Sequence, residues 1–272
     1  MLMEMHDRSE RRAREILECY IHSITNEFSN YIESILLVGS LTNGSYIEGP
    51  GRDIDQITVL RDDTPEEIKK LILKRIEKIE NDFNNDVPIA RTIYKVSEMR
   101  RPFRTDIEPC VENKHLLEIA TELFRIHESG IVLYGKNIIL ELPVPTRDEV
   151  VYFNELNTKW SREEERKNPS FLDVLKNPPV RIAVQIVITN AFKHFYYATG
   201  KSCSNKHEIA DRMKSEVKNY LFQDLLELAT KFKINPNKDF SEEEVEKLKN
   251  GCKELLEWIK NNPVYAVPVF EK

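Results

Sequence analysis

Two aspartates separated by one isoleucine, Asp53-Ile54-Asp55, stand at the head of an apolar run over residues 54–60. In an extended strand alternate residues share a face, so both carboxylates point one way while Ile54 points into the core. Two like charges that close repel, and a divalent cation relieves them. Hard oxygen ligands of this kind favour Mg2+, with Mn2+ as the alternative, above all where phosphates complete the shell. Upstream, four of the eight glycines, Gly39, Gly44, Gly49 and Gly51, fall within 13 residues that follow another apolar run at 35–38. Glycines behind a strand let the backbone approach a ligand and present N–H groups to anionic oxygens, and Ser40 adds a hydroxyl donor. Asp53 and Asp55 are therefore the candidate catalytic and metal-binding pair, and Gly39, Ser40, Asn43, Gly44 and Ser45 the candidate nucleotide-binding loop. An Asp-x-Asp alone is a common solvated strand edge. The Gly-Ser 13 residues before it, with strands on both sides, makes a metal–nucleotide site the stronger reading.

The elements that would hold these residues follow from periodicity. Over residues 8–28, Ile16, Leu17, Tyr20, Ile21, Ile24 and Phe28 recur at helical spacing. Residues 35–38 and 54–60 read as strands joined by the glycine-rich loop. Thr64-Pro65-Glu66-Glu67 offers a capping threonine, a proline at the first helical position and two acids for a helix through Phe83. Residues 87–96 read as a third strand. Helical patterns then cover residues 114–127, 148–160, 179–199, 206–232 and 241–261, with few strand signals after Tyr134. The expected fold class is α+β: an N-terminal domain at 1–140, with a small mixed sheet and flanking helices, followed by a helical-bundle domain at 141–272.

The Gly-Ser, spacer and Asp-x-Asp arrangement resembles the signature of the nucleotidyltransferase superfamily typified by DNA polymerase β. Ser129-Gly130-Ile131-Val132-Leu133-Tyr134-Gly135 is similar to the segment closing the catalytic domain of aminoglycoside adenylyltransferases. Thr199-Gly200-Lys201, with Ser204-Asn205-Lys206, is similar to a helical-domain passage of the streptomycin/spectinomycin adenylyltransferases. The resemblance implies that the loop holds a triphosphate, that Lys206 reaches its phosphates, and that the aspartates bind the metals that organise in-line attack on the α-phosphorus. It also implies a third acid on the next strand. No acid occurs from Val87 to Ser97, and Arg91 falls where it is expected, with Glu98, Asp106 and Glu108 as the nearest substitutes. Where the streptomycin enzymes place acids to hold a cationic drug, this chain has Pro178-Pro179-Val180-Arg181-Ile182-Ala183, which weakens the case for a polycationic acceptor.

Composition narrows the partners. With 40 Lys+Arg against 46 Asp+Glu the net charge is -6, which argues against a nucleic-acid partner. No apolar run approaches the roughly 18 residues that span a bilayer, and nothing at the start reads as a signal peptide, so a cytoplasmic protein is expected. Cys19, Cys110, Cys203 and Cys252 are too scattered for a metal clip. His194, in an aromatic helix, reads as a packing residue, as do Trp160 and Trp258; the Glu163–Glu165 and Glu242–Glu244 runs read as solvated faces. The expected activity is transfer of a nucleoside monophosphate, AMP from ATP, to a hydroxyl of a small acceptor such as an aminoglycoside-like antibiotic, with pyrophosphate release. The rival is a catalytically impaired nucleotide-binding sensor or antitoxin-like protein of the same fold.

Overall fold

The computed structural model describes residues 2–46, 53–100, 114–167 and 175–270. It separates into a unit ending at Pro145 and a second unit beginning at Thr146. The architecture is α+β, as the sequence pattern predicts.

In the first unit, helix α1 (Leu2–Phe28) leads into strand β1 (Ile32–Leu37) and the short helix α2 (Ser40–Asn43). Strand β2 (Gln56–Leu60), helix α3 (Glu66–Asp82), strand β3 (Thr92–Lys95) and the short helix α4 (Val96–Arg100) follow, then helix α5 (Lys114–Ser129) and strand β4 (Ile131–Gly135). The sheet order is β3-β2-β1-β4, with β2 and β3 parallel and both partners of β1 antiparallel to it. Alternation along β1 and β2 feeds two cores. Ile35, Leu37, Ile54 and Leu60 pack with residues of α1 and α3, including Ile16, Tyr20, Ile24, Ile72 and Ile76. Leu36, Val38, Ile57 and Val59 pack on the other side with Met99, Ile119, Leu123 and Ile126 of α4 and α5. Helices on both faces explain why β2 is buried along its whole length, a pattern expected of central strands.

Several local readings need correction. Thr64 is not the cap of α3: Pro65 takes that position, and the Thr64 hydroxyl donates instead to the Tyr31 carbonyl at 3.2 Å. The strand expected over residues 87–96 shortens to β3 because Val96 already opens α4, with only an isolated bridge between Ile54 and Ile89 ahead of it. Helix α5, within the expected domain at 1–140, packs on the sheet through Ile119, Leu123 and Ile126.

Among its described residues the second unit is helical: α6 (Arg147–Lys167), α7 (Pro179–Ile182), a π-helical segment (Ala183–Ile188) running into α8 (Thr189–Thr199), then α9 (Ile209–Glu216), α10 (Gln223–Ile234) and α11 (Glu242–Asn261). The single helix expected over 206–232 is broken. Asn219 adopts a left-handed φ of 59°, which amide side chains tolerate, and Tyr220 leaves the helix to bridge Val269 of the C-terminal strap. Ser241 and Glu244 form a reciprocal capping box at the start of α11.

At the centre of this unit His194 is 3% exposed, its Nδ1 lies 2.8 Å from the Tyr220 hydroxyl, and its ring meets Trp258 edge-on. Burial, aided by the charge of Lys193, pushes the imidazole down to about 3. The folded protein therefore resists protonation that the unfolded chain accepts near pH 6.5. The stability this contributes is full above pH 6.5 and is lost as pH falls toward 3, on the order of 4 kcal/mol over that range. His194→Phe should flatten the fall in urea-unfolding free energy between pH 7 and pH 4 relative to wild type. Parallel curves would show that His194 does not carry the acid sensitivity.

Candidate active site at the head of strand β2

Ile54 is fully buried against the α1–α3 core, whereas Asp53 and Asp55 beside it are partly exposed. The alternation that sends Ile54 to that side puts Asp55 on the face covered by α5, in the row of Ile57 and Val59. The opposite row is fixed by a buried polar network. The Tyr20 hydroxyl donates to Gln56 Oε1 at 3.1 Å and also bonds Thr58, Thr58 donates to the same Gln56 oxygen, and Gln56 Nε2 donates to the Ala90 carbonyl at 2.7 Å. Sliding β2 by one residue would bury both carboxylates and leave this network unpaired.

Helix α5 meets Asp55 with a cation. Ile119, Leu123 and Ile126 anchor the helix in the core, and the neighbouring stripe carries Glu122, Arg125 and Ser129. Arg125 Nη2 lies 2.8 Å from Asp55 Oδ2, while Nη1 lies 3.0 and 3.2 Å from the two Glu122 oxygens. Burial disfavours the Arg125 charge, but Glu122 and then Asp55 more than offset this and raise its pKa. Neither Glu122 nor Arg125 was marked by the sequence. Three residues apart on a helix, they look like an ordinary surface ion pair.

The glycine-rich loop closes over this pair. Gly39 has φ +78°, and a Cβ there would overlap Asp55 Oδ2 and Arg125 Nη2. Only glycine satisfies both the conformation and the space. Ser40, 8% exposed, opens α2, and the Thr42 hydroxyl donates to the Gly39 carbonyl at 2.7 Å while lying 3.2 Å from the Ser129 hydroxyl. The loop and α5 are thereby joined at a second point. Gly44 ends α2 with φ +73°, and the Asn43 side-chain oxygen accepts from both the backbone N–H and the hydroxyl of Ser45. Asn43 and Ser45 thus shape the loop through each other. The structure brings Gly39 and Asp55 together, 16 positions apart in the chain. Lys206 lies in the second unit, in the turn before α9.

Arg91 does not approach the aspartates. Its guanidinium binds Glu80 Oε2 at 2.6 Å, and Glu80 Oε1 accepts the Ile89 N–H at 2.8 Å, so the pair ties α3 to the lead-in of β3. Glu98 accepts the Lys95 N–H at 2.7 Å at the start of α4. Lys95 pairs with Leu60 in the parallel register, so Glu98 sits at the opposite end of β2 from Asp55 and is not a displaced third acid. Asp106 and Glu108 lie outside the described residues.

The donor chemistry fits a hard divalent cation at Asp53 and Asp55, with one oxygen of Asp55 already engaged by Arg125. Among the described residues no group of three or more His, Cys, Asp or Glu forms a cage, so phosphate oxygens and water would have to complete the shell.

The fold has a counterpart among solved structures. The chain aligns with spectinomycin adenyltransferase AAD(9) from Enterococcus faecialis, solved with ATP and spectinomycin, at a TM-score of 0.56 and 16% identity. The match covers 89% of this chain and 99% of that one. The chain has the nucleotidyltransferase fold. No protein-family profile and no curated protein matches it. At this identity the likeness concerns the backbone, and the parts played by side chains in this nucleotidyltransferase fold rest on the geometry above. No helix among the described residues is long and apolar enough to cross a membrane.

Two stability measurements probe this geometry. Gly39→Ala should destabilise by about 2 kcal/mol or more, since it adds steric overlap to an unfavourable φ. Gly44→Ala, at a similar φ but with nothing within 4 Å of its Cβ, should cost only about 1 kcal/mol. Equal costs in urea unfolding would show that Gly39 is not packed against the ion pair. Separately, Arg91→Glu sets a like charge against Glu80, so it should lower stability by about 1–2 kcal/mol. A melting temperature at or above that of wild type would overturn the Glu80 pairing.

Proposed function

We propose that the protein is a metal-dependent nucleotidyltransferase that moves a nucleoside monophosphate, AMP from ATP, onto a hydroxyl of a small acceptor and releases pyrophosphate. The observation that carries this reading is the contact between the Gly39 turn and Asp55. It sets a loop suited to phosphate and a carboxylate suited to a cation in one corner of this fold.

In this reading Asp53 and Asp55 hold the cation, and the loop of Gly39, Ser40, Asn43, Gly44 and Ser45 receives the phosphates. Backbone N–H groups and the Ser40 hydroxyl orient the chain of phosphates so that the bond to the leaving pyrophosphate lies in line with the incoming hydroxyl. A bound Mg2+, or Mn2+ in its place, would supply the charge that stabilises the attacking and leaving oxygens. Lys206 is a further proposed phosphate contact, carried by the resemblance of its Thr-Gly-Lys passage. Glu122 is a carboxylate that the fold brings to the Asp55 corner through Arg125, and it enters the charge balance there. The fold neighbour was solved with an antibiotic, and an aminoglycoside-like acceptor is the class proposed here. The exposed Arg181 favours a less cationic member of that class. A cytoplasmic setting, where ATP and Mg2+ are abundant, suits this chemistry.

The ion pair on Asp55 gives the second reading its footing. A carboxylate already neutralised by Arg125 suits a protein that binds nucleotide without transferring it.

One experiment separates the two: the four nucleoside triphosphates, labelled at the α-phosphate, with a panel of hydroxylated compounds and pyrophosphate as readout. The enzyme reading predicts acceptor-dependent pyrophosphate release. It also predicts at least about a hundredfold loss in Asp53→Asn and Asp55→Asn, corresponding to about 3 kcal/mol of barrier, with folding retained. Nucleotide binding with no release on any acceptor would establish the sensor reading. Equal activity in wild type and both variants would end the metal assignment.

A further inference from the structure

Arg125 is the feature that neither the sequence motif nor the proposed transfer accounts for. Its guanidinium is a quarter exposed and Asp55 is 18% exposed, so their contact is a shielded ion pair and not a surface encounter. Glu122, 16% exposed, grips the other end of the guanidinium with both oxygens and fixes its plane. The Gly39 backbone is pressed against the pair so closely that no side chain fits between them. Through Thr42 and Ser129 the loop is joined to the same helix that delivers the arginine. A cation built into the protein thus occupies Asp55 Oδ2, inside the turn where the proposed function places the phosphates.

We propose that Arg125 is the resident countercharge of Asp55, a positioning residue that keeps the site from taking up a free divalent cation and yields Asp55 only when a nucleotide arrives. The inference rests on the proposed function above, since it takes Asp53 and Asp55 as the metal-binding pair. Its physical basis is competition for one oxygen. A free cation has to displace a guanidinium from a poorly hydrated carboxylate and leave that guanidinium with only Glu122 as a partner. A polyphosphate changes the exchange, because its oxygens accept the same planar fork of N–H donors and bring a cation with them. Metal and nucleotide affinities are then coupled, each raising the other by one factor.

The test is a Mn2+ titration of the full-length protein followed by electron paramagnetic resonance, with and without α,β-methylene-ATP, which occupies the site and does not turn over. Wild type should bind free Mn2+ weakly and at least about tenfold more tightly once the analogue is present. Arg125→Gln should bind free Mn2+ about tenfold more tightly than wild type and show a much smaller gain from the analogue. Arg125→Lys, which keeps the charge, should return toward wild-type behaviour. Glu122→Gln/Arg125→Gln removes both members of the α5 pair, and it should behave as Arg125→Gln does should that single variant fold poorly. Unchanged free-Mn2+ affinity in the folded variants, while Asp55→Asn in the same background abolishes binding, would overturn the countercharge and leave the metal assignment standing. Mn2+ binding insensitive to Asp55→Asn in every background would instead remove the metal assignment, and this inference with it.

Discussion

The register of β2 is the constraint on which the rest of the site depends. Five consecutive buried residues give β2 no solvent-exposed face to mark its orientation, so burial alone would not distinguish one register from the next. The distinction comes from Tyr20, Gln56, Thr58 and the Ala90 carbonyl, a polar set that pairs fully on the α1 side only when Ile54 faces the same way. Once that side is settled, Asp53 and Asp55 have no choice but the side of α5. The network does its positioning at one residue's remove from the carboxylate, through the backbone, and its members need never touch a ligand.

What could be read in the chain follows the range of the interactions involved. The turn at Gly39 and the partly exposed Asp53 and Asp55 around buried Ile54 were legible as geometry because it is local: a turn after a strand, and two carboxylates spaced by the pleat. The layering of the first unit was legible too, since the apolar pattern of α1 and α3 repeats at helical spacing and matches the core they form. Arg125 was not, because its partner Asp55 lies 70 positions earlier and nothing within α5 announces it. Arg91 misled for the reverse reason. It precedes β3 and is not in it, and Glu80, 11 residues upstream, had already claimed it. Thr64 and the break at Asn219 show the same effect at small scale, where a tertiary partner, the Tyr31 carbonyl or the strap at Val269, overrides a sound local propensity.

The missing acid on β3 and the additional arginine on α5 bear on one quantity, the charge of the corner around Asp55. Three carboxylates on adjacent strands would sit together only with positive charge brought from outside. Here β3 contributes none near Ala90, α5 contributes Glu122, and Arg125 cancels one charge internally. Arg125 thus offsets, within the protein, part of the negative charge that Asp55 and Glu122 bring together. The departures from the pattern that the sequence resemblance implies therefore act in one direction, because a site that carries its own guanidinium asks for less positive charge from bound ions. The close fit of Gly39 against the pair supports the same view, since the loop is shaped around the arginine as well as the aspartate. Removing either charge would leave a turn whose conformation has lost the group it is folded against.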